Sequence, residues 1–326
     1  MYKTFYNLKR NPFEITPDPS FLFATKRHNE ALAALYYGVR RRKGFVVLTG
    51  EVGTGKTLLV RCLLQILTRA NVAFAYVFNS RLNSMEFLQY VVADFGLAAT
   101  GKSKSELLLG LAGYVISRSQ KNLTTVLVVD EAHHLSTDVL EEIRLLTNLE
   151  SPQEKLLQIL LIGQPELDEK LDCDNLRQLK QRIALRSHLG PLELDETGSY
   201  IYRRLQLAGS TTPEHIFPMD AILEIHRHSR GFPRLINTLC ENGLIHAYAK
   251  QSEAVTPDII EEIAEDFRLN ITHRSPSNHV IGDEPVPDVQ QAARTLLDLY
   301  AHLRESQPER TELSTFTRTG KHEPYI

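Results

Sequence analysis

The chain is 326 residues long, 42% apolar and 24% charged, with a formal net charge of -3. That length holds a full α/β domain and a smaller companion, and the near balance of charge argues against coating nucleic acid by bulk attraction, leaving open only a local basic face. The three cysteines, Cys62, Cys173 and Cys240, are far apart and lack a CxxC pair, which argues against a disulfide framework or zinc site and fits a reducing compartment.

Taken in order, the amino-terminal text MYKTFYNLKRNPFE has no apolar signal core, and no apolar run approaches the roughly 20 residues that span a bilayer. A soluble, cytoplasmic chain is expected. A helix is predicted over Ala31–Val39, ending in the basic run Arg40-Arg41-Arg42-Lys43. That run suits the negative end of the helix dipole; contact with nucleic acid or anionic lipid is the alternative. Gly44–Thr49 is a short buried strand, followed by a glycine loop and an amphipathic helix to about Ala70. Strand Ala73–Asn79, helices Ser84–Phe95 and Ser103–Gln120, and strand Thr124–Asp130 follow. Val139, Ile143, Leu146 and Leu149 keep a helical period before the apolar strands Leu156–Gly163 and Ala184–Leu192. Strands of this kind separated by helices predict a five-stranded parallel sheet covered on both faces.

Beyond Pro191 the strand signals stop, and Ser199–Leu207, Asp220–Ser229, Arg234–Lys250 and Pro257–Arg268 read as helices. From Thr272 the text turns polar, interrupted by one amphipathic segment, Val289–Arg304. The expected organisation is an α/β core over 1–193, a small all-helical domain over 194–271 and a largely disordered tail over 272–326.

Two motifs carry chemistry. Gly50-Glu51-Val52-Gly53-Thr54-Gly55-Lys56-Thr57 fits GxxxxGK[ST] and lies between a predicted strand and a predicted helix, the context that pattern requires. Glycines let the backbone turn several N–H groups toward an anion, and the helix that continues through Leu58 adds its positive end. Lys56 then reaches the outer phosphates and the Thr57 hydroxyl ligates Mg²⁺, which makes ATP and Mg²⁺ the expected ligands. A plain tight turn would explain the glycines but not the Lys-Thr that closes them.

The second motif is the apolar strand ending in Asp130-Glu131. It delivers two carboxylates to the C-terminal edge of the sheet, where ligands bind in open α/β folds. Asp130 is expected in the Mg²⁺ shell, through water, and Glu131 is expected to polarise the attacking water. His133 and His134 follow directly; a solvated or packing role is preferred to a metal site, for want of further ligands at matching spacing.

The chain resembles the AAA+ ATPases of the general secretion pathway protein A type. The matching text includes NPFEITPDPSFLFATKRHNEALAAL, KGFVVLTGEVGTGKTLLVR, VVDEAHHLSTDVLEEIRLLTNLE, LLIGQPELDEKL, LRQLKQRIALRSHLGPL and GFPRLINTLCENGL, nearly continuous from Tyr6 to about Phe267. The resemblance implies a P-loop core, a helical lid and a nucleotide held where they meet, often at a subunit boundary. It places Gln164 at the end of the fourth strand, between the strands of the two motifs, as the polar residue that orients the water, with a plain turn residue in Gly-Gln-Pro as the alternative. It offers Arg182 first and Arg186 second as the arginine that reaches a neighbour's site, with surface ion pairing as the alternative. Arg234 becomes the lid arginine on the γ-phosphate. A cation in a first helical turn opposes the dipole, which an anion opposite would relieve; a solvated arginine is the alternative. The adenine is expected near Phe21-Leu22-Phe23-Ala24-Thr25 and Arg27-His28-Asn29-Glu30, although a hydrophobic staple explains the phenylalanines equally well.

Longer members of that family continue into a membrane span and a peptidoglycan-binding module, and neither is found in this text, so a stand-alone ATPase is expected. The leading expectation is a homo-oligomer that acts on a protein assembly of the envelope: secretion, pilus or exopolysaccharide machinery. It would work from the cytoplasm or peripherally at the inner membrane. The alternative is an ATP-dependent DNA-binding regulator of the transposition type. Asp130-Glu131-Ala132-His133 also spells a helicase box, but a two-domain helicase needs a second α/β domain where helices are predicted here.

Overall fold

The computed structural model describes residues 2–78 and 81–269; the expected tail and its helix Val289–Arg304 lie outside the described residues. The first half is a parallel sheet. Its strands are β1 (Phe45–Gly50), β2 (Ala73–Val77), β3 (Thr125–Val129), β4 (Leu157–Gly163) and β5 (Leu185–Leu189). Their order across the sheet is β2-β3-β4-β1-β5, all neighbours parallel. This order puts β4 between the strand that leads into the glycine loop and the strand that ends at Asp130.

Every residue of β1, β3 and β4 is buried, as apolar strands covered on both faces should be. Alternate side chains feed two clusters. Val47, Leu127, Val129, Ile159 and Leu161 pack beneath α4 (Ser84–Asp94), α5 (Lys104–Gln120) and α6 (Thr137–Leu146). Val46, Leu48, Val126, Val128, Leu160 and Ile162 pack beneath α2 (Lys26–Arg40) and α3 (Lys56–Arg69). Helix α2 starts five residues before its expected position because the Thr25 hydroxyl accepts from His28 N and caps it.

After the sheet the chain is helical: α9 (Leu194–Ala208), α10 (Pro213–Ile216), α11 (Met219–Ser229), α12 (Pro233–Ala249) and α13 (Pro257–Asp266). The short helices α7 (Glu166–Leu171) and α8 (Arg177–Lys180), not anticipated, lie between β4 and β5. Helix α9 begins earlier than its periodicity suggests, since the Glu196 carboxylate accepts from Glu193 N. These helices share a third apolar cluster, into which the amino-terminal residues Tyr2, Tyr6, Leu8 and Phe13 also pack. The first turn α1 (Tyr2–Phe5) is tied down by Tyr2 Oη, which donates to Glu241, and by Tyr6 Oη, which donates to Ser252 O at 2.9 Å. The chain therefore starts on the helical half, crosses to the sheet and returns.

Candidate functional site

The glycine loop joins the end of β1 to the start of α3. Gly53 and Gly55 have φ of 84° and 98°, left-handed values that favour glycine. A Cβ at Gly50 would lie 2.5 Å from Leu189 O, and one at Gly53 would lie 2.8 Å from the Cβ of Arg234. The loop is braced from behind: Thr54 Oγ1 donates to Glu51 O at 2.8 Å, and His28 Nε2 donates to Thr54 O at 3.1 Å. Thr25 Oγ1 lies 2.8 Å from His28 Nδ1, and burial lowers the proton affinity of that imidazole, so it braces the loop in the neutral form. Lys56 Nζ donates to Gly50 O at 2.7 Å and Glu51 O at 2.9 Å. Burial pulls the Lys56 pKa down, while Glu131, Asp130, Glu51 and Glu166 push it up.

Asp130 extends β3 by donating its N–H to Val77 O at 2.8 Å, which buries its carboxylate beside α3. Oδ2 accepts from Thr57 Oγ1 at 3.3 Å and from Tyr76 Oη at 2.8 Å; Oδ1 accepts from Glu131 N at 2.9 Å. Burial raises its pKa, and the bonds from Tyr76 and Glu131 N pull it back. A buried carboxylate beside a threonine hydroxyl is a hard-oxygen pair that fits a magnesium ion. Glu131 takes a left-handed backbone, φ 53°, uncommon for a residue with a side chain. That turn places its carboxylate on the wall of a cavity of about 340 Å³.

The sheet side of this cavity is Val52, Gly53, Gly55, Lys56, Thr57, Leu58, Glu131 and Gln164. Gly50, Glu51, Thr54 and Asp130 stand behind that surface and support it. Opposite lie Pro233, Arg234 and Asn237 of α12 and Tyr200 and Arg204 of α9, with Glu14–Asp18 closing one end. Arg234 N donates to Gly53 O at 3.3 Å, so loop and helix touch directly. The stretch expected to meet the base sits deeper. Phe21 is buried under Arg204, 4.6 Å from its guanidinium, and Leu22, Phe23 and His28 line a recess of about 30 Å³ that shares Gly55, Leu58, Tyr200 and Pro233 with the main cleft. Arg27 turns toward Glu193, 3.7 Å away.

Gln164 ends β4 as expected, beside His133: its amide nitrogen lies 2.9 Å from Nε2, and Glu131 Oε2 lies 3.6 Å from Nδ1. His133 is buried in the turn after Asp130, not solvated. Arg182 and Arg186 lie away from this cavity. Arg182 donates to Thr147 and, at 2.7 Å, to Asn148 Oδ1, and its charge is felt by the carboxylates of Glu141 and Glu150. Arg186 pairs with Asp168 at 3.1 Å. Among the described residues two groups have metal-ligand atoms within 4.8 Å of one another: Glu131 with His133 and His134, and Glu224 with His228 and Glu261. In the second, Arg227 pairs with both carboxylates and supplies the positive charge an ion would bring.

Sequence reasoning missed Tyr76, Arg204 and Asn237, and it named His28 only as a neighbour of the base, not as a brace of the loop. Tyr76 had a readable signal, since an aromatic hydroxyl near the C-terminal end of β2, paired in register with Val128, must fall beside Asp130. Arg204 had none: it bonds Pro12 O, 192 positions away, and donates to Tyr200 Oη at 2.9 Å, which in turn donates to Asn237 Oδ1 at 2.7 Å.

Residues 39–171 match the family described as an AAA domain, a span that holds the glycine loop, Asp130, Glu131 and Gln164. Over 256 residues, 78% of this chain, the sequence is 44% identical to general secretion pathway protein A of Aeromonas hydrophila. Residues 39–171 form an AAA domain. The chain is similar to general secretion pathway protein A but spans 46% of that relative's length, so the likeness covers under half of it. Its fold is similar to the Aeropyrum pernix ORC2 protein, solved as ADPNP–ADP complexes, at TM-score 0.57 and 18% identity over 79% of this chain and 72% of that one. It is also similar to Drosophila ORC bound to DNA, at TM-score 0.58 and 22% identity over 79% and 64%. Among the described residues, no helix is long and apolar enough to cross a membrane.

Proposed function

We propose that the chain binds ATP with magnesium in this cleft, hydrolyses it, and uses the resulting movement of its helical half to work on a protein assembly of the bacterial envelope. The observation that carries the reading is the convergence on one cavity of Lys56, Thr57, Glu131 and Gln164 from the sheet with Arg234 from α12. The core would then be 1–193 and the lid 194–271, with the nucleotide between them.

Each residue has a task that its position supports. The turned-in loop N–H groups and Lys56 cradle the phosphates. Thr57 and Asp130 would hold magnesium, which when bound neutralises charge on the phosphate oxygens. Glu131 accepts a proton from the attacking water while Gln164 fixes that water's orientation. Arg234, set in the first turn of α12 where a cation opposes the helix dipole, is drawn to the γ-phosphate and ties lid position to whether that phosphate is present.

Assembly into a homo-oligomer would bring an arginine from a neighbour to the same phosphate. Arg182 is the better candidate, because its hydrogen-bond partners Thr147 and Asn148 are neutral whereas Arg186 is ion-paired with Asp168. The envelope client rests on the similarity to general secretion pathway protein A, and with it a site of action at the cytoplasmic side of the inner membrane. Purified chain with ATP and magnesium is expected to release phosphate, and Glu131→Gln is expected to bind ATP, stall and retain envelope proteins in a pull-down. Wild-type chain that shows no heat of binding with ATP and magnesium would end the reading.

A further inference from the structure

The basic run Arg40-Arg41-Arg42-Lys43 takes no part in the cleft and lies at the opposite edge of the sheet. In a parallel sheet the helix-to-strand connections all emerge on one edge, where the strands begin. Four of them, 40–44, 69–72, 118–124 and 147–156, lead into β1, β2, β3 and β4 and carry eight basic and two acidic side chains. Both acids are spent, Glu154 on Arg42 and Glu150 on Lys155. The connections are knitted into one surface: Arg42 Nη2 donates to Asn122 Oδ1 at 3.1 Å, and Arg118 Nη2 donates to Asn71 O at 3.2 Å. Four neighbouring strands about 4.8 Å apart give that surface a width of roughly 15 Å.

Arg40, Arg41, Lys43, Arg69 and Lys121 are exposed there and form no ion pair among the described residues. Arg41 and Lys43 flank the Tyr37 ring, 5.9 and 5.8 Å from its centre. Helices α2, α3 and α5 end at this edge, and each helix end carries about half a negative charge. Three half-charges do not balance five unpaired cations, so the dipoles account for only part of them. The cleft edge has the opposite sign, since Glu131, Asp130, Glu51 and Glu166 all bear on Lys56. A chain of formal net charge -3 is thus two-sided, positive where the strands begin and negative where they end.

Carboxyl ends of helices offer carbonyls, so among the described residues these three ends give a phosphate no backbone N–H cradle. Only four, three and four residues separate α2 from β1, α3 from β2 and α5 from β3, so nothing in these connections projects far enough to enter a nucleic-acid groove. What remains is a blunt plane of cations, which suits a plane of anions. We propose that this edge docks on the anionic surface of a lipid bilayer and holds the cleft and the helical half away from it. The inference deepens the reading above by naming the surface that meets the inner membrane, and it rests on that reading for the choice of membrane.

The test uses the full chain and vesicles of phosphatidylcholine with about 30% phosphatidylglycerol, read by co-sedimentation without nucleotide. Binding is expected to these vesicles and not to pure phosphatidylcholine, and it should fall away as salt rises from about 0.1 M to about 0.5 M. Each lost cation is expected to weaken binding about five-fold, so Arg40→Gln, Arg41→Gln and Lys43→Gln together should cost about 100-fold. Arg69→Gln with Lys121→Gln should cost about 25-fold, although neither residue belongs to the run. Without vesicles, ATP turnover of both variants should stay within about two-fold of wild type, since none of these side chains lines the cleft. Wild type that ignores anionic vesicles, binds neutral ones equally well, or keeps its binding in both variants would overturn the proposal. So would tighter binding to a DNA duplex than to the vesicles at equal salt, which would mark the edge as a nucleic-acid surface. Should the triple variant fail to fold, the double variant decides. A chain that turns over ATP but ignores the vesicles loses this proposal alone. One that meets the vesicles but binds no ATP loses the ATPase reading alone, so the two failures are separable.

Discussion

Asp130 in the sheet half and Arg204 in the helical half are buried to a similar degree, 3% and 5% exposed, yet their surroundings differ. Asp130 sits at a strand end among Thr57, Tyr76 and Glu131 N, donors that only partly replace water, and burial still raises its pKa. Arg204 is enclosed by backbone carbonyls of Pro12 and Glu14, the Tyr200 hydroxyl and the rings of Phe21, Phe13 and Tyr200. One carboxylate, held by three donors just behind the cavity wall, still has a raised pKa, as suits a group awaiting a cation; the other charge is partnered by carbonyls and rings and holds the structure together.

That contrast can be broken or sharpened by substitution. The largest effect is expected from Glu131→Gln, on the order of 1,000-fold in ATP turnover with binding retained, read by phosphate release and calorimetry. Turnover at the wild-type rate would show that Glu131 is not the base. Arg204→Ala should cost about 3 kcal/mol in denaturant melts, because two carbonyls and a hydroxyl lose their donor, and it should expose residues 2–18 to protease. An unchanged melt would mean that the amino-terminal segment is held by its apolar contacts alone. Lys56→Ala is expected to weaken ATP binding about 100-fold, near 2.7 kcal/mol, with little change in folding.

The smallest effect has the opposite sign. Asp130→Asn should stabilise the chain by about 1 kcal/mol near neutral pH while abolishing magnesium-dependent turnover. The folded pKa of Asp130 lies above its unfolded value, so the folded state binds that proton more tightly. Stability is therefore gained as pH falls through the folded pKa and lost as pH rises past it. The advantage of the variant should shrink as melts are moved from about pH 8 toward about pH 4. An advantage independent of pH would mean that the carboxylate carries no burial penalty.

The same division separates what the sequence disclosed from what it concealed. The five strands and the glycine loop were readable because each is a local pattern: an apolar run, a left-handed glycine, a carboxylate at a strand end. Gln164 and Arg234 were placed through the family resemblance and do border the cleft. The Arg204–Tyr200–Asn237 chain and the Glu14–Asp18 wall were hidden because they depend on contacts between positions some 190 residues apart, which no short-range pattern encodes. Helix α9 was shortened in the reading because its first turn is fixed by Glu196 bonding to Glu193 N, a polar feature outside the apolar period.

The route of the chain, out from the helical half and back, has a mechanical consequence. Two peptide connections, residues 14–25 and 190–193, join the halves, and they run side by side where Arg27 approaches Glu193 and Gly190. Two adjacent tethers permit swivelling about the line through them and forbid sliding. Each opening of the cleft would then follow one arc, and force applied anywhere on the outer helices would arrive as torque on that axis.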